Sequence, residues 1–221
     1  MSIAAGLEAY TKKPPDYFTG VRKDYIAQLP DNARARILEI GCGNGANGEF
    51  AFAAGKCAAY CGVELFPEAA AIATQRLSEV VVGDIEKVAL PWPHCSFDAL
   101  IMSEVLEHLA DPWSVLRKLR LLMRPGAKVF ASSPNVAHYD MVRMLLKNEW
   151  NLEDKGQMDR THLRWFTSKT YAAMFDECGY TVEYVREIRP LTRKGQLISF
   201  LSAGTLKHLF VRQITLGATI E

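Results

Sequence analysis

The strongest constraint on this chain is a short apolar run that ends in three closely spaced glycines and then turns helical. Ile37-Leu38-Glu39-Ile40 reads as a buried strand, Gly41-Cys42-Gly43-Asn44-Gly45 as a tight turn, and residues 46–54 as a helix stopped by Gly55. Glycines in such a turn let the backbone bend sharply and approach a ligand with no side chain between them. Three glycines in five residues are more than the turn itself requires. The unit therefore predicts a phosphate-, nucleotide- or nucleoside-binding corner in an α/β sheet.

The pattern repeats downstream. Residues 58–65 form a second apolar strand, Pro67 suits the first turn of a helix running through Ala69, Ile72, Ala73 and Leu77, and residues 80–82 form a short third strand before Gly83-Asp84. A fourth strand covers 97–102. Asp111-Pro112 starts a helix whose Val115, Leu116, Leu119 and Leu122 recur at helical spacing. Pro125-Gly126 is expected to end that helix, with a fifth strand over 128–131. Residues 134–166 are irregular, rich in polar and aromatic side chains. Thr167 or Ser168 caps a helix ending at Gly179, and a strand (180–188), a helix (197–209) and a last strand (211–218) close the pattern. Alternating strands and helices imply a doubly wound, mostly parallel sheet with its ligand at the carboxyl ends of the strands. The final two strands break the βαβ rhythm, so one of them is expected to run antiparallel.

Composition removes several classes of function. A length of 221 residues suits a single domain, and a net charge of +1 offers no basic surface for nucleic acid. Cys42, Cys57, Cys61, Cys95 and Cys178 are odd in number and lack paired metal-ligand spacing, which points to free thiols in a reducing compartment and away from structural zinc. Residues 1–10 lack the basic start and apolar core of a secretory signal, and no run of about 18 apolar residues exists to span a bilayer. A cytoplasmic monomer or homodimer is expected.

Two acids narrow the ligand. Glu64 ends the second strand 21 residues after Gly43, where a carboxylate accepts hydrogen bonds from ribose hydroxyls. Asp84 follows the third strand, where an adenine would lie. Either acid alone is an ordinary surface residue; at the ends of successive strands they describe an adenosine pocket. A P-loop is excluded because Glu49, not lysine, follows Gly48, and no tyrosine has a lysine four residues later as a short-chain dehydrogenase requires. Glu39, just before the glycines, suits a cationic ligand better than a pyrophosphate.

These residues resemble the class I S-adenosylmethionine-dependent methyltransferases. The resemblance rests on residues 37–45, Gly62-Val63-Glu64-Leu65, Gly83-Asp84-Ile85, residues 96–109 and Arg124-Pro125-Gly126, in the family's order from about Arg34 to Ser133. It implies a Rossmann-like, doubly wound seven-stranded sheet, mostly parallel with one antiparallel strand and helices on both faces. It also implies that Glu39 and the loop Gly41, Cys42, Gly43 and Gly45 hold the methionine part of the cofactor. Glu64 with Leu65 would hold the ribose, Asp84 with Ile85 the adenine, and Ser103 would complete the cofactor set. S-adenosylhomocysteine would be the product. A looser likeness in Ser133-Pro134-Asn135, His138 and residues 159–167 points to a glycan- and small-molecule-modifying branch. Glu104-Val105-Leu106-Glu107-His108 resembles the ubiquinone-biosynthesis O-methyltransferases, so the resemblance favours an oxygen acceptor on a small molecule or glycan.

Methyl transfer from a sulfonium is a displacement that mainly needs alignment, with a base when the acceptor is a hydroxyl. His108 and His138 are the candidate bases, beside Glu104. A helix beginning at Glu104 would set Glu104, Glu107 and His108 on one side, where they could hold a divalent metal. The plainer reading is a helix-start pair of acids with a locally packed histidine, and no bound metal is expected. Tyr17, Asn135, His162 and Arg164 are expected to face the acceptor, with residues 1–33, including Phe18 and Arg22, as a lid and residues 134–166 as an acceptor-side insertion. An amine acceptor, or a cofactor-binding module without turnover, are the rival readings.

Overall fold

Seven strands form one sheet in a computed structural model that describes residues 20–187 and 193–221. They are β1 (Arg36–Ile40), β2 (Ala59–Glu64), β3 (Glu79–Val82), β4 (Phe97–Ser103), β5 (Met123–Pro134), β6 (Thr181–Glu187) and β7 (Gln213–Thr219). Their order is β3-β2-β1-β4-β5-β7-β6, with β1 to β5 parallel and β7 antiparallel to both of its neighbours. The expected architecture, including the single antiparallel strand, is therefore present. Order reverses between β1 and β4, which opens a crevice at their carboxyl ends.

Each central strand is buried on both faces, and its side chains sort by the twofold period of a strand. Leu38, Ile40, Leu100, Met102, Val129 and Ala131 face one core. That core is closed by α4 (Pro112–Arg120) through Val115, Leu116 and Leu119, and by α6 (Ser168–Glu177) through Tyr171, Met174 and Phe175. Ile37, Ala99, Ile101 and Phe130 face the other core. There α1 (Lys23–Gln28), α2 (Ala46–Ala53) and α3 (Pro67–Ala73) supply Tyr25, Ile26, Ala51 and Ala73.

Three local expectations are corrected. Pro125-Gly126 does not end a helix: α4 already stops at Arg120, and the two residues lie inside β5. Gly126 takes φ +79° and donates its N–H to the Ile220 carbonyl at 2.7 Å, so the turn signal marks an irregularity in the pairing of β4 with β5. The irregular stretch after β5 contains a helix, α5 (Tyr139–Leu146), in which Met141 is the buried residue, so burial leaves no helical period in the sequence. The helix expected over 197–209 is instead α7 (Arg193–Leu201) followed by a 3₁₀ turn at Lys207–Phe210, with Ala203 and Gly204 at positive φ between them.

Candidate active site

The carboxyl ends of β1, β2, β3 and β4 open into a cavity of about 1260 Å³. Gly41, Cys42, Gly43, Glu39, Glu64, Leu65, Asp84, Ile85 and Ser103 all line it. Gly41 has φ +71°, and a Cβ there would meet the Val105 side chain at 2.8 Å, so both backbone shape and space call for glycine. Gly45 does not line the cavity; at φ +81° it begins α2 and packs against Ala73 and Leu77, a turn role.

Glu64 is buried and accepts the Gly43 N–H at 2.7 Å on one oxygen and the Phe66 N–H at 3.0 Å on the other. A carboxylate has about four lone-pair directions, so the two backbone bonds fix its plane and leave acceptor capacity toward the cavity. Burial raises its pKa despite these bonds. Glu39, one strand over, accepts from Asn47 Nδ2 at 2.6 Å and Tyr60 Oη at 2.9 Å. Desolvation pushes its pKa up to about 7, against those hydrogen bonds. Asp84 pairs with Lys87 and accepts the Glu86 N–H, and both neighbours also line the cavity.

Arg22, placed in a lid by its position in the sequence, is built into the wall itself. Its Nη1 donates to Ser103 Oγ at 2.6 Å and Ser132 Oγ at 2.9 Å, while Nε and Nη2 hold Asp24. Its guanidinium lies 3.6 Å from the centroid of the Tyr25 ring, and its backbone N–H bonds Asn47 Oδ1. Asn47 thus ties the segment before α1 to Glu39. Nothing in a sequence spacing marks an arginine 17 residues before Glu39 as its neighbour.

The far wall is made where β4 ends. Glu104 does not begin a helix: it has φ +56°, and its carboxylate turns to accept from Gln213 Nε2 of β7 at 2.7 Å. The helical set Glu104, Glu107 and His108 is thereby broken. A 3₁₀ turn over Leu106–His108 instead gathers Glu107, His108 and His162, whose ligand atoms lie within 4.8 Å of one another. His162 arrives because the Glu107 carbonyl accepts the Leu163 and Arg164 N–H groups at 2.8 and 3.0 Å, clamping the insertion to the turn. Both Glu107 carboxylate oxygens are buried with no hydrogen-bond partner. Burial, then the charge of Glu104, hold its pKa well above the usual carboxylate range.

Each imidazole turns its Nδ1 toward a backbone carbonyl. His108 Nδ1 lies 3.3 Å from the Thr161 carbonyl and 3.2 Å from Thr161 Oγ1, whose own proton goes to Asp159 at 2.7 Å. His162 Nδ1 faces the Gln157 carbonyl at 3.2 Å. Carbonyl oxygens only accept, so in each ring it is Nδ1 that donates to its carbonyl.

Other expected residues lie elsewhere. His138 is buried outside the cavity lining, capping α5 with Nδ1 toward the Asp140 N–H at 3.3 Å. Asn135 is also fully buried and is a structural pin, its amide donating to the His208 and Val211 carbonyls at 2.9 and 2.8 Å. Arg164 is exposed, bonding the Ala110 carbonyl beside Trp113. Tyr17 and Phe18 fall outside the described residues. Sequence reasoning did not single out Asn47, Asp159, Gln157, Arg212 and Gln213 of the lining. Asp159 opens the stretch 159–167 quoted for the resemblance but was given no role there, and Gln157 lies two residues before it, whereas Arg212 and Gln213 reach the cavity only through the antiparallel placement of β7.

Comparison with known proteins agrees with this geometry. A family model described as a methyltransferase domain matches residues 16–185. The ubiquinone biosynthesis O-methyltransferase of Xanthomonas oryzae pv. oryzae is 34% identical over 130 residues, covering 56% of this chain and 53% of that protein. Its counterpart in Xanthomonas campestris pv. campestris is 33% identical over 130 residues, with the same coverage. The chain thus spans about half the length of the curated relatives it matches. A SAM-dependent methyltransferase from Archaeoglobus fulgidus has the same fold, with a TM-score of 0.66 at 17% identity over 92% of this chain and 96% of that one. One from Mesorhizobium loti gives 0.64 at 18% identity over 93% and 98%. With its glycine corner, strand-end acids and sheet order in place, the chain belongs to the class I S-adenosylmethionine-dependent methyltransferase family.

Proposed function

We propose that this chain transfers the methyl group of S-adenosylmethionine to a hydroxyl of a small molecule or glycan, with His108 as the base. The observation that carries the reading is the gathering of Glu107, His108 and His162 in the same cavity as Glu39, Glu64 and Asp84. Glu39 and the Gly41–Gly43 backbone would hold the cationic methionine end, Arg22 its carboxylate, Glu64 the ribose and Asp84 with Ile85 the adenine. His108, with its lone pair on Nε2, would take the acceptor proton as the methyl group leaves sulfur. Thr161 and Asp159 hold that ring in place.

The test is methyl transfer from labelled S-adenosylmethionine to a panel of catechol, sugar and amine acceptors. His108→Ala is expected to lower turnover about 10²–10⁴-fold, the usual worth of a positioned base, while cofactor affinity stays within about threefold. Unchanged turnover removes the base. Turnover on amines alone moves the reading to N-methylation, where an uncharged amine needs no base.

A second reading is favoured by one observation, the unpartnered buried carboxylate of Glu107. A carboxylate and two imidazole Nε2 atoms suit a divalent metal, and backbone carbonyls at both Nδ1 atoms orient the rings for ligation. A metal bound there would supply Lewis-acid polarisation of the acceptor oxygen. Loss of turnover with chelator and its return with Mg²⁺ or Zn²⁺ would support this reading; indifference to both would leave His108 acting alone.

A further inference from the structure

We propose that Glu86 and Arg164 are positioning residues that couple the adenine end of the cavity to its acceptor wall, a role that rests on the cofactor reading with adenine at Asp84 and Ile85. The loop after β3 is itself well held. The Glu86 N–H bonds Asp84 Oδ1 at 3.0 Å, and Lys118 Nζ of α4 donates to the Ile85 and Val88 carbonyls at 3.1 and 2.7 Å. From this anchored loop the Glu86 side chain reaches the segment that follows His108.

Both carboxylate oxygens are used there. Oε2 accepts the Ala110 N–H at 3.1 Å and Oε1 the Asp111 N–H at 2.7 Å. Capping α4 does not require this, because Asp111 already caps the helix, accepting the Ser114 N–H at 3.1 Å and the Ser114 hydroxyl at 2.6 Å. Ala110 and Asp111 are also exposed, so water can satisfy both N–H groups and the two bonds add little to stability. What a carboxylate adds over water is a fixed distance between two loops.

The same peptide group is held at its other end. The Ala110 carbonyl accepts from Arg164 Nη2, so the Ala110–Asp111 peptide links an acid of the adenine loop to a cation of the insertion. Hydrogen bonds in series through one peptide polarise and strengthen one another. The Arg164 backbone N–H returns to the Glu107 carbonyl at 3.0 Å, closing a ring that runs from Glu107 to Ala110 and back through Arg164. His108, the proposed base, lies within that ring, and His162 is two residues from Arg164. Glu86, His108, Ala110 and His162 all line the one cavity. A cofactor that orders residues 84–88 therefore orders, through Glu86, the turn carrying His108 and the insertion carrying His162. The acceptor then meets a positioned wall only after S-adenosylmethionine is bound.

Amide hydrogen exchange of the full chain, with and without S-adenosylhomocysteine, tests the coupling with no acceptor present. In wild type the ligand is expected to slow exchange in residues 84–88 and also in residues 159–165, by about fivefold or more in each. Glu86→Ala should keep the first effect and lose the second, with ligand affinity within about threefold of wild type and thermal unfolding unchanged. Arg164→Ala should do the same from the acceptor side. Glu86→Gln, which keeps one acceptor oxygen, should restore part of the slowing in 159–165. A residue that only stabilised the fold would instead raise exchange throughout the chain and lower Tm when replaced. Ligand binding by wild type without slowing in 159–165 overturns the proposal, as does full slowing there in either alanine variant. Failure of wild type to bind S-adenosylhomocysteine in a calorimetric titration would instead remove the cofactor reading, and the proposal with it.

Discussion

Glu64 is held by two backbone N–H groups that come from different turns, and this explains why one side chain matters for both ligand and fold. Glu64→Ala should weaken S-adenosylmethionine binding by about 1–3 kcal/mol, the cost of stranding buried hydrogen-bond partners. Calorimetric titration checks this, and unchanged affinity would remove the ribose role. Glu39 makes a different prediction because its ordinary pKa of 4.5 is raised to about 7 in the fold. Between those values the unfolded chain releases a proton that the folded chain keeps, so stability falls as pH rises from about 5 to 7. The loss from Glu39 alone approaches about 3 kcal/mol by pH 7. Glu64, Glu104 and Glu107 shift in the same direction, so Glu39→Gln should flatten the slope in part. Thermal unfolding of both proteins without cofactor at pH 5 and 7.5 is the measurement; identical slopes would mean that Glu39 ionises normally.

Among the elements, the helix that follows the insertion shows the closest agreement between sequence signal and geometry. Thr167 caps α6 with its Oγ1 accepting the Thr170 N–H at 3.2 Å, and Thr170 returns the bond to the Thr167 N–H at 2.9 Å. Thr167→Ala should cost about 1 kcal/mol, which in a chain of this size lowers Tm by about 2–4 °C. A Tm within error of wild type would show that the helix is held by its Tyr171, Met174 and Phe175 packing alone. The turn at Glu104 illustrates the opposite case. Spacing aligns Glu104 with Glu107 and His108 only if a helix begins at Glu104. The observed left-handed residue instead sends Glu104 to Gln213, a partner 109 positions away. The i, i+3, i+4 rule holds only where a helix exists, and no local signal distinguishes a helix start from a strand-end turn here. Similarly, α5 went unread because its apolar residues face outward and the buried face supplies only Met141.

At the scale of the molecule, cofactor and fold are linked by mass action. At about 100 times its dissociation constant, S-adenosylmethionine should stabilise the chain by about 2.7 kcal/mol, raising Tm by about 5–10 °C for a protein of this length. Differential scanning calorimetry with NAD as the control measures this; a shift with NAD alone would contradict the cavity chemistry. The amino-acid sequence by itself determined the doubly wound sheet, the glycine corner and the strand-end acids, because these depend on local signals. Such signals are apolar periods, glycines where a side chain cannot fit, and carboxylates at fixed places after strands. Only the tertiary structure decided that His108 and His162 face the cavity and His138 does not, that Arg22 joins its wall, and that Glu107 and His162 meet. Those outcomes depend on how one segment lies across another, through bonds such as the Glu107 carbonyl to Leu163 and Arg164. A contact between residues more than 50 positions apart leaves no period in the chain from which it can be read.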